Sequence, residues 1–286
     1  MRKTTCLRIR NIFFRPGTYF FMTQDILSRL FSLCGKRVLV TGAGGGIGRA
    51  LAIAFAEAGA IVGVHNRSPE ALTETMVEIA NVGGKCVELN GDLHDIKACQ
   101  QLATQAKAVL NGVDVLVNCA GMNRRKPISE VTPDDFDTII NVNLRSAFFL
   151  SQAIQPMMAE QGGGKIIHIG SITSSMALGG ISVYAMSKIS LAQLSKTMAL
   201  EWAQYNIQVN CLAPGFIDTP LTRTGLWNDA KKKAWILDRT PAKRPGTPAD
   251  LIGAALFLAS PGSDFVTGQV LTVDGGFLAG GWWDTP

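Results

Sequence analysis

Residues 37–48 read RVLVTGAGGGIG and run directly into RALAIAFAEAG at residues 49–59. A short β-branched apolar run, a glycine loop and a stretch with helical apolar spacing follow one another. Glycine lets the chain turn tightly there and lets backbone N–H groups approach a pyrophosphate at the N-terminus of the helix that follows. The spacing is not G-x-G-x-x-G, because Ile47 stands where the last glycine would be, and no Gly-Lys-Ser/Thr completes a P-loop. The pattern present is T-G-x-x-x-G-x-G, with Gly42, Gly46 and Gly48.

Outward from this unit the same beat continues. Apolar, strand-like runs occur at residues 37–41, 60–65, 85–90, 113–118, 165–170, 207–212 and 269–273, with helical patterns between them. Near-continuous apolar strands alternating with helices predict a parallel sheet covered on both faces. No linker interrupts the pattern after residue 36. The expectation is an α/β fold: one doubly wound Rossmann-type domain over residues 33–286, with about seven strands, preceded by an extension at residues 1–32.

With 47% apolar and 17% charged residues, the 286-residue chain can bury a sizeable core. The net charge of +5 is concentrated in residues 1–21, which hold Arg2, Lys3, Arg8, Arg10 and Arg15 and no acid; setting these five aside from the 27 basic residues leaves 22 against 22 acidic ones. A balanced body argues against a nucleic-acid partner. The extension is too short, and too interrupted by Arg15 and Pro16, to span a bilayer, so no membrane partner is expected. Its Arg-rich, acid-free composition suits an organellar transit peptide, whereas Met22 offers an internal start and a cytoplasmic product; the expectation is a disordered or non-native extension. The six cysteines are scattered without CxxC spacing, which predicts free thiols and no metal site. His168, in the strand-like run KIIHIG, reads as a packed core residue.

Two short stretches fall where strands end: Gly91-Asp92-Leu93 and Asn118-Cys119-Ala120-Gly121. Each reads equally as a plain turn or as a ligand contact, since open α/β sheets bind ligands at the carboxyl ends of their strands. Farther on, Tyr184 and Lys188 stand four apart, so they are neighbours on one helix face. A phenol with an ordinary pKa of about 10 exchanges protons near neutrality only with help, and a nearby ammonium favours the phenolate. Ser171 ends the fifth strand thirteen residues before Tyr184, and Asn143 lies earlier still.

Taken together and in this order, TGxxxGxG, the NCAG stretch, the Asn143, Ser171, Tyr184, Lys188 set and Pro214-Gly215 resemble the classical short-chain dehydrogenase/reductase family over residues 33–277. The resemblance implies a nicotinamide cofactor, a small-molecule substrate and a homotetramer. It implies that Tyr184 is the general acid/base, that Ser171 holds the substrate oxygen, that Lys188 binds the nicotinamide ribose and lowers the tyrosine pKa, and that Asn143 holds a water of the proton relay. Gly42, Gly46, Ile47 and Gly48 would form the phosphate loop, and Asp92 and Leu93 would meet the adenine. Asn118, Ala120 and Gly121 would line its ribose side, while Pro214, Gly215, Ile217 and Thr219 would reach the carboxamide.

Where a 2′-hydroxyl-binding site carries an acid at the end of the second strand, this chain has Asn66 followed by Arg67. No carboxylate repels a 2′-phosphate there and Arg67 is placed to pair with it, so NADP(H) is favoured over NAD(H). The loop AGMNRRKP and the C-terminal third resemble family members of the gluconate and deoxygluconate dehydrogenase kind, with Arg124 and Arg125 at the site mouth facing a substrate carboxylate. The alternatives are a 3-oxoacyl-[acyl-carrier-protein] reductase and a non-catalytic dinucleotide-binding sensor. The long connection at residues 216–239 is expected to form a lid over the site.

Overall fold

The computed structural model describes residues 26–281, apart from the side chain of residue 224. The basic stretch 1–21 lies outside the described residues. Residues 26–31 form a helix, α1. Seven strands follow: β1 (Arg37–Thr41), β2 (Ile61–Asn66), β3 (Lys85–Asn90), β4 (Val115–Asn118), β5 (Gly164–Ile169), β6 (Ile207–Pro214) and β7 (Val270–Val273). They form one sheet in the order β3-β2-β1-β4-β5-β6-β7, and every pairing is parallel. Between them run α2 (Gly46–Glu57), α3 (Thr73–Asn81), α4 (Ile96–Leu110), α5 (Pro133–Ile140), α6 (Ser146–Glu160), α7 (Ser182–Trp202), α8 (Pro220–Thr222), α9 (Ala230–Arg239) and α10 (Ile252–Ala259).

Because side chains alternate across a strand, each strand feeds two cores. Val38 and Val40 of β1 pack with Val62, Val117, Ile167 and the α2 and α10 side chains Leu51, Phe55 and Leu258. Leu39 between them faces the opposite layer, where Leu116, Ile166 and Val209 meet Leu102 of α4, Leu150 of α6 and Met198 of α7. Burial on both faces is why the strands read as continuous apolar runs rather than as alternating ones.

The strand order reverses between β1 and β4, both of which leave the sheet in the same direction. A crevice opens at such a switch point, beyond the carboxyl ends of the strands. Helix α2 starts there without a side-chain cap on Gly45 and without an acid in its first turn. By contrast, α4 is capped by Asp95, α5 by a Thr132–Asp135 capping box and α9 by Asp229. The first N–H groups of α2 are thus free to receive an anionic ligand.

Candidate active site

The crevice is a cleft of about 520 Å³. Gly42, Gly46, Ile47 and Gly48 line it from the first loop, Asn66 and Arg67 from the end of β2, Asp92 and Leu93 from the end of β3, and Ala120 and Gly121 from the end of β4. Pro214 at the end of β6, with Gly215, Ile217 and Thr219 just after it, closes it. Packing explains the glycines: a Cβ on Gly48 would lie 2.1 Å from the Gly42 carbonyl oxygen, and one on Gly42, whose φ is +71°, would lie 2.9 Å from Ala120 Cα. Thr41, which the sequence pattern includes without assigning it work, ties the two loops together. Its Oγ1 accepts from Cys119 N (3.0 Å) and Ala120 N (3.1 Å).

The side chain of Asn118 turns into the core behind β4 and β5: its amide donates to Ser151 Oγ (3.0 Å) and lies 3.2 Å from His168 Nδ1. Ala120 and Gly121 carry the cleft wall instead. His168 is wholly buried, as its strand context predicts, and burial pushes its pKa down to about 3, so the ring is neutral.

Ser171, Tyr184 and Lys188 come together at the inner end of the cleft. Ser171 follows β5, and its Oγ accepts from Thr173 N (3.1 Å). Tyr184 lies on the first turn of α7 and lines the same cavity wall as Ser171. One turn on, Lys188 Nζ donates to Ile169 O (2.7 Å) and sits 5.6 Å from the Tyr184 ring centroid. Burial raises the tyrosine pKa, whereas the Ser171 hydroxyl and the charge of Arg125 act to lower it. Burial also lowers the lysine pKa.

Asn143 is buried below this group, in a π-turn at Asn141–Arg145 between α5 and α6. Its Oδ1 accepts from Met122 N (2.8 Å), and its amide donates to Met122 O (3.0 Å) and Ser187 Oγ (3.1 Å). With both polar atoms taken up by protein, this side chain fastens the loop after β4 to α7.

A second cavity, of about 240 Å³, shares Ser171, Tyr184 and Gly215 with the cleft and continues under the 216–239 segment, touching Leu221, Leu226, Trp235 and Ile236. Several contacts hold the segment in this position. Ile217 bridges to Gly246, Thr222 Oγ1 donates to Ile217 O (2.6 Å), and Trp235 packs edge-on to Phe216 at 6.4 Å between centroids. The two arginines of the mouth separate. Arg124 is turned away, bonded to Asp134 (2.6 Å) and Asp135 (3.1 Å), while Arg125 lines the second cavity and no acid among the described residues pairs with it. Asn123 Oδ1 and Thr173 Oγ1, on residues that also line this cavity, are buried without a hydrogen-bond partner among the described residues. Neither residue carries a motif, and only the fold brings them to the site. Among the described residues, no group of three His, Cys, Asp or Glu side chains is placed to hold a metal.

The cleft therefore offers a glycine loop at an uncapped helix, a switch-point crevice and a Ser–Tyr–Lys cluster, which together fit a nicotinamide dinucleotide. Residues 42–278 match the family model described as enoyl-(acyl carrier protein) reductase. Over 253 residues the chain is 43% identical to the 2-dehydro-3-deoxy-D-gluconate 5-dehydrogenase of Escherichia coli (strain K12), covering 87% of this chain and 98% of that protein. It is 39% identical over 247 residues to the gluconate 5-dehydrogenase of Gluconobacter oxydans (strain 621H), covering 86% and 96%. The crystal structure of a gluconate 5-dehydrogenase from Burkholderia cenocepacia J2315, in complex with NADP and tartrate, matches with a TM-score of 0.85 at 40% identity, covering 89% of this chain and 99% of that one. The chain belongs to the short-chain dehydrogenase/reductase family. It is an NAD(P)-dependent oxidoreductase that interconverts an alcohol and a ketone.

Proposed function

We propose that the substrate is a sugar acid, oxidised or reduced at a secondary carbon that sits between Ser171 and Tyr184. The bound nicotinamide supplies or accepts the hydride. Tyr184 gives its proton to the substrate oxygen in reduction and takes it back in oxidation, and Ser171 Oγ holds that oxygen in place. Lys188 meets the nicotinamide ribose and keeps positive charge beside the phenol, while Asn143 keeps the surrounding loop registered on α7.

The observation that carries the substrate class is the second cavity: an arginine close enough to act on Tyr184, beside two buried oxygens, none of the three with a partner among the described residues. A carboxylate suits Arg125, and substrate hydroxyls suit Asn123 and Thr173. The relatives named for gluconate and its dehydro-deoxy form support the same reading. The test is a turnover screen of aldonates, ketoaldonates, neutral polyols and acetoacetyl thioesters with both cofactors. Sugar acids are expected to give the highest kcat/KM, and Arg125→Ala to lower it about 10- to 100-fold for these substrates, the worth of a charge-assisted hydrogen bond. Preference for the thioester would instead establish a 3-oxoacyl-carrier reductase.

NADP(H) is proposed as the preferred cofactor. Arg67 is exposed at the cleft edge next to Asn66, and the Burkholderia relative binds NADP. Arg67→Ala is expected to weaken NADPH binding by about 1.5–3 kcal/mol, with much less effect on NADH, as read by fluorescence titration. Equal losses for both cofactors would show that Arg67 does not read the 2′-phosphate.

We further propose that residues 33–286 act as one catalytic domain, that the 216–239 segment closes over the bound substrate, and that the protein is a cytoplasmic homotetramer. The free thiols among the described cysteines support the reducing compartment. The exposed apolar side chains Phe136, Phe148, Met186 and Ile189 on α5, α6 and α7 support association with further copies.

A further inference from the structure

Gly225 sits in the π-turn Arg223–Trp227, at the point where the segment 216–239 meets the loop after β4. Its φ is not in the left-handed region, so backbone conformation alone does not call for glycine. Space does. A Cβ at this position would lie 2.8 Å from Arg125 Nε, 3.2 Å from its Cδ and 3.4 Å from its Cζ, so the arginine side chain rests directly on the glycine. On the other side, Lys232 Nζ of α9 reaches the Gly225 carbonyl oxygen at 3.4 Å while paired to Asp229 at 3.0 Å. Two basic residues that line the second cavity, one from the sheet loop and one from α9, therefore meet on a single residue of the segment above it.

We infer that Gly225 is a positioning residue for the substrate: it seats Arg125 against the 216–239 segment, so that the arginine and the cover of the cavity are set together. Lys232 is neutralised by Asp229, which leaves Arg125 as the cation that meets the substrate. The carboxylate part of this assignment rests on the sugar-acid reading above; the seating of Arg125 does not. The groups facing the Tyr184 phenol are Arg125 from the loop, Cys119 from the end of β4, Ser171 from the end of β5 and Lys188 from its own helix. Moving Arg125 removes one of the influences that favour the phenolate.

The test is a cycle of Gly225→Ala, Arg125→Ala and the double variant, in the full chain with NADP(H). Gly225→Ala is expected to raise KM for 5-ketogluconate about tenfold with kcat within about threefold and cofactor affinity unchanged, the split expected when substrate binding and not chemistry is lost. The pH limb of alcohol oxidation, which rises as the phenol ionises, is expected to move to higher pH in Gly225→Ala and in Arg125→Ala alike. In the double variant neither quantity changes beyond Arg125→Ala alone, because Gly225 acts through that side chain. Additive losses, or an unmoved pH limb in Gly225→Ala, overturn the inference. If Gly225→Ala is poorly folded, Arg125→Ala in the same chain should restore its Tm, since truncation clears the overlap; failure to restore it also overturns the assignment. If wild type reduces a neutral ketohexose and no keto acid, the sugar-acid reading fails, and the pH limb measured on the ketohexose still decides the role of Gly225.

Discussion

Tyr184→Phe is expected to lower kcat by about 10³ in both directions while leaving the Kd for NADPH within about twofold, because only the proton donor is removed. The ring keeps its place on the first turn of α7, and Lys188 keeps its bond to Ile169 O at 2.7 Å, so the cleft wall survives. What remains is Ser171, proposed to hold the substrate oxygen, with no acid beside it. Its Oγ already accepts from Thr173 N, and as a hydroxyl it is far too weak an acid to take over the proton transfer. Rate assays beside fluorescence titration of the cofactor check this. Activity within tenfold of wild type would remove the acid/base role from Tyr184, and a parallel loss of cofactor affinity would show that the hydroxyl is structural.

Tyr184 and its neighbours were legible in the sequence because they ride on local patterns. The strands show themselves as unbroken apolar runs, and residues placed just after a strand end are delivered to one edge of the sheet whatever the rest of the chain does. This is why Asp92, Ala120, Ser171 and Gly215 all line the cleft. Direction across the sheet was not legible. Asn118 is the last residue of β4, and only the tertiary partners Ser151 and His168 show that it turns inward. The adjacent arginines make the same point more sharply. Arg124 and Arg125 look alike in sequence, yet Asp134 and Asp135, delivered by α5, draw one away and leave the other at the second cavity. Gly225 carried no signal because its reason for being glycine is an arginine a hundred residues earlier.

The glycine loop is the opposite case, where sequence and packing give the same answer, and it yields the second large effect. Gly48→Ala would place a methyl group 2.1 Å from Gly42 O, 2.7 Å from Gly42 C and 3.2 Å from Ala43 Cα, all backbone atoms with no rotamer to turn aside. Normal contact requires the start of α2 and the loop to separate by roughly an ångström, and the loop's N–H groups cannot hold their aim through such a shift. The displacement cannot be absorbed by Gly42, which is itself held at φ +71° against Ala120. We expect Kd to rise at least about 100-fold, or about 3 kcal/mol, for NADPH and NADH equally, since both carry the same pyrophosphate. Gly253→Ala, in α10 with nothing near its added methyl group, is the control and should leave both affinities unchanged. Titration of the two cofactors, with circular dichroism to confirm the fold, reads the outcome. A folded Gly48→Ala protein that binds both within threefold of wild type would show that the loop yields where its packing says it cannot, and a loss confined to NADPH would move the 2′-phosphate contact from Arg67 to this loop.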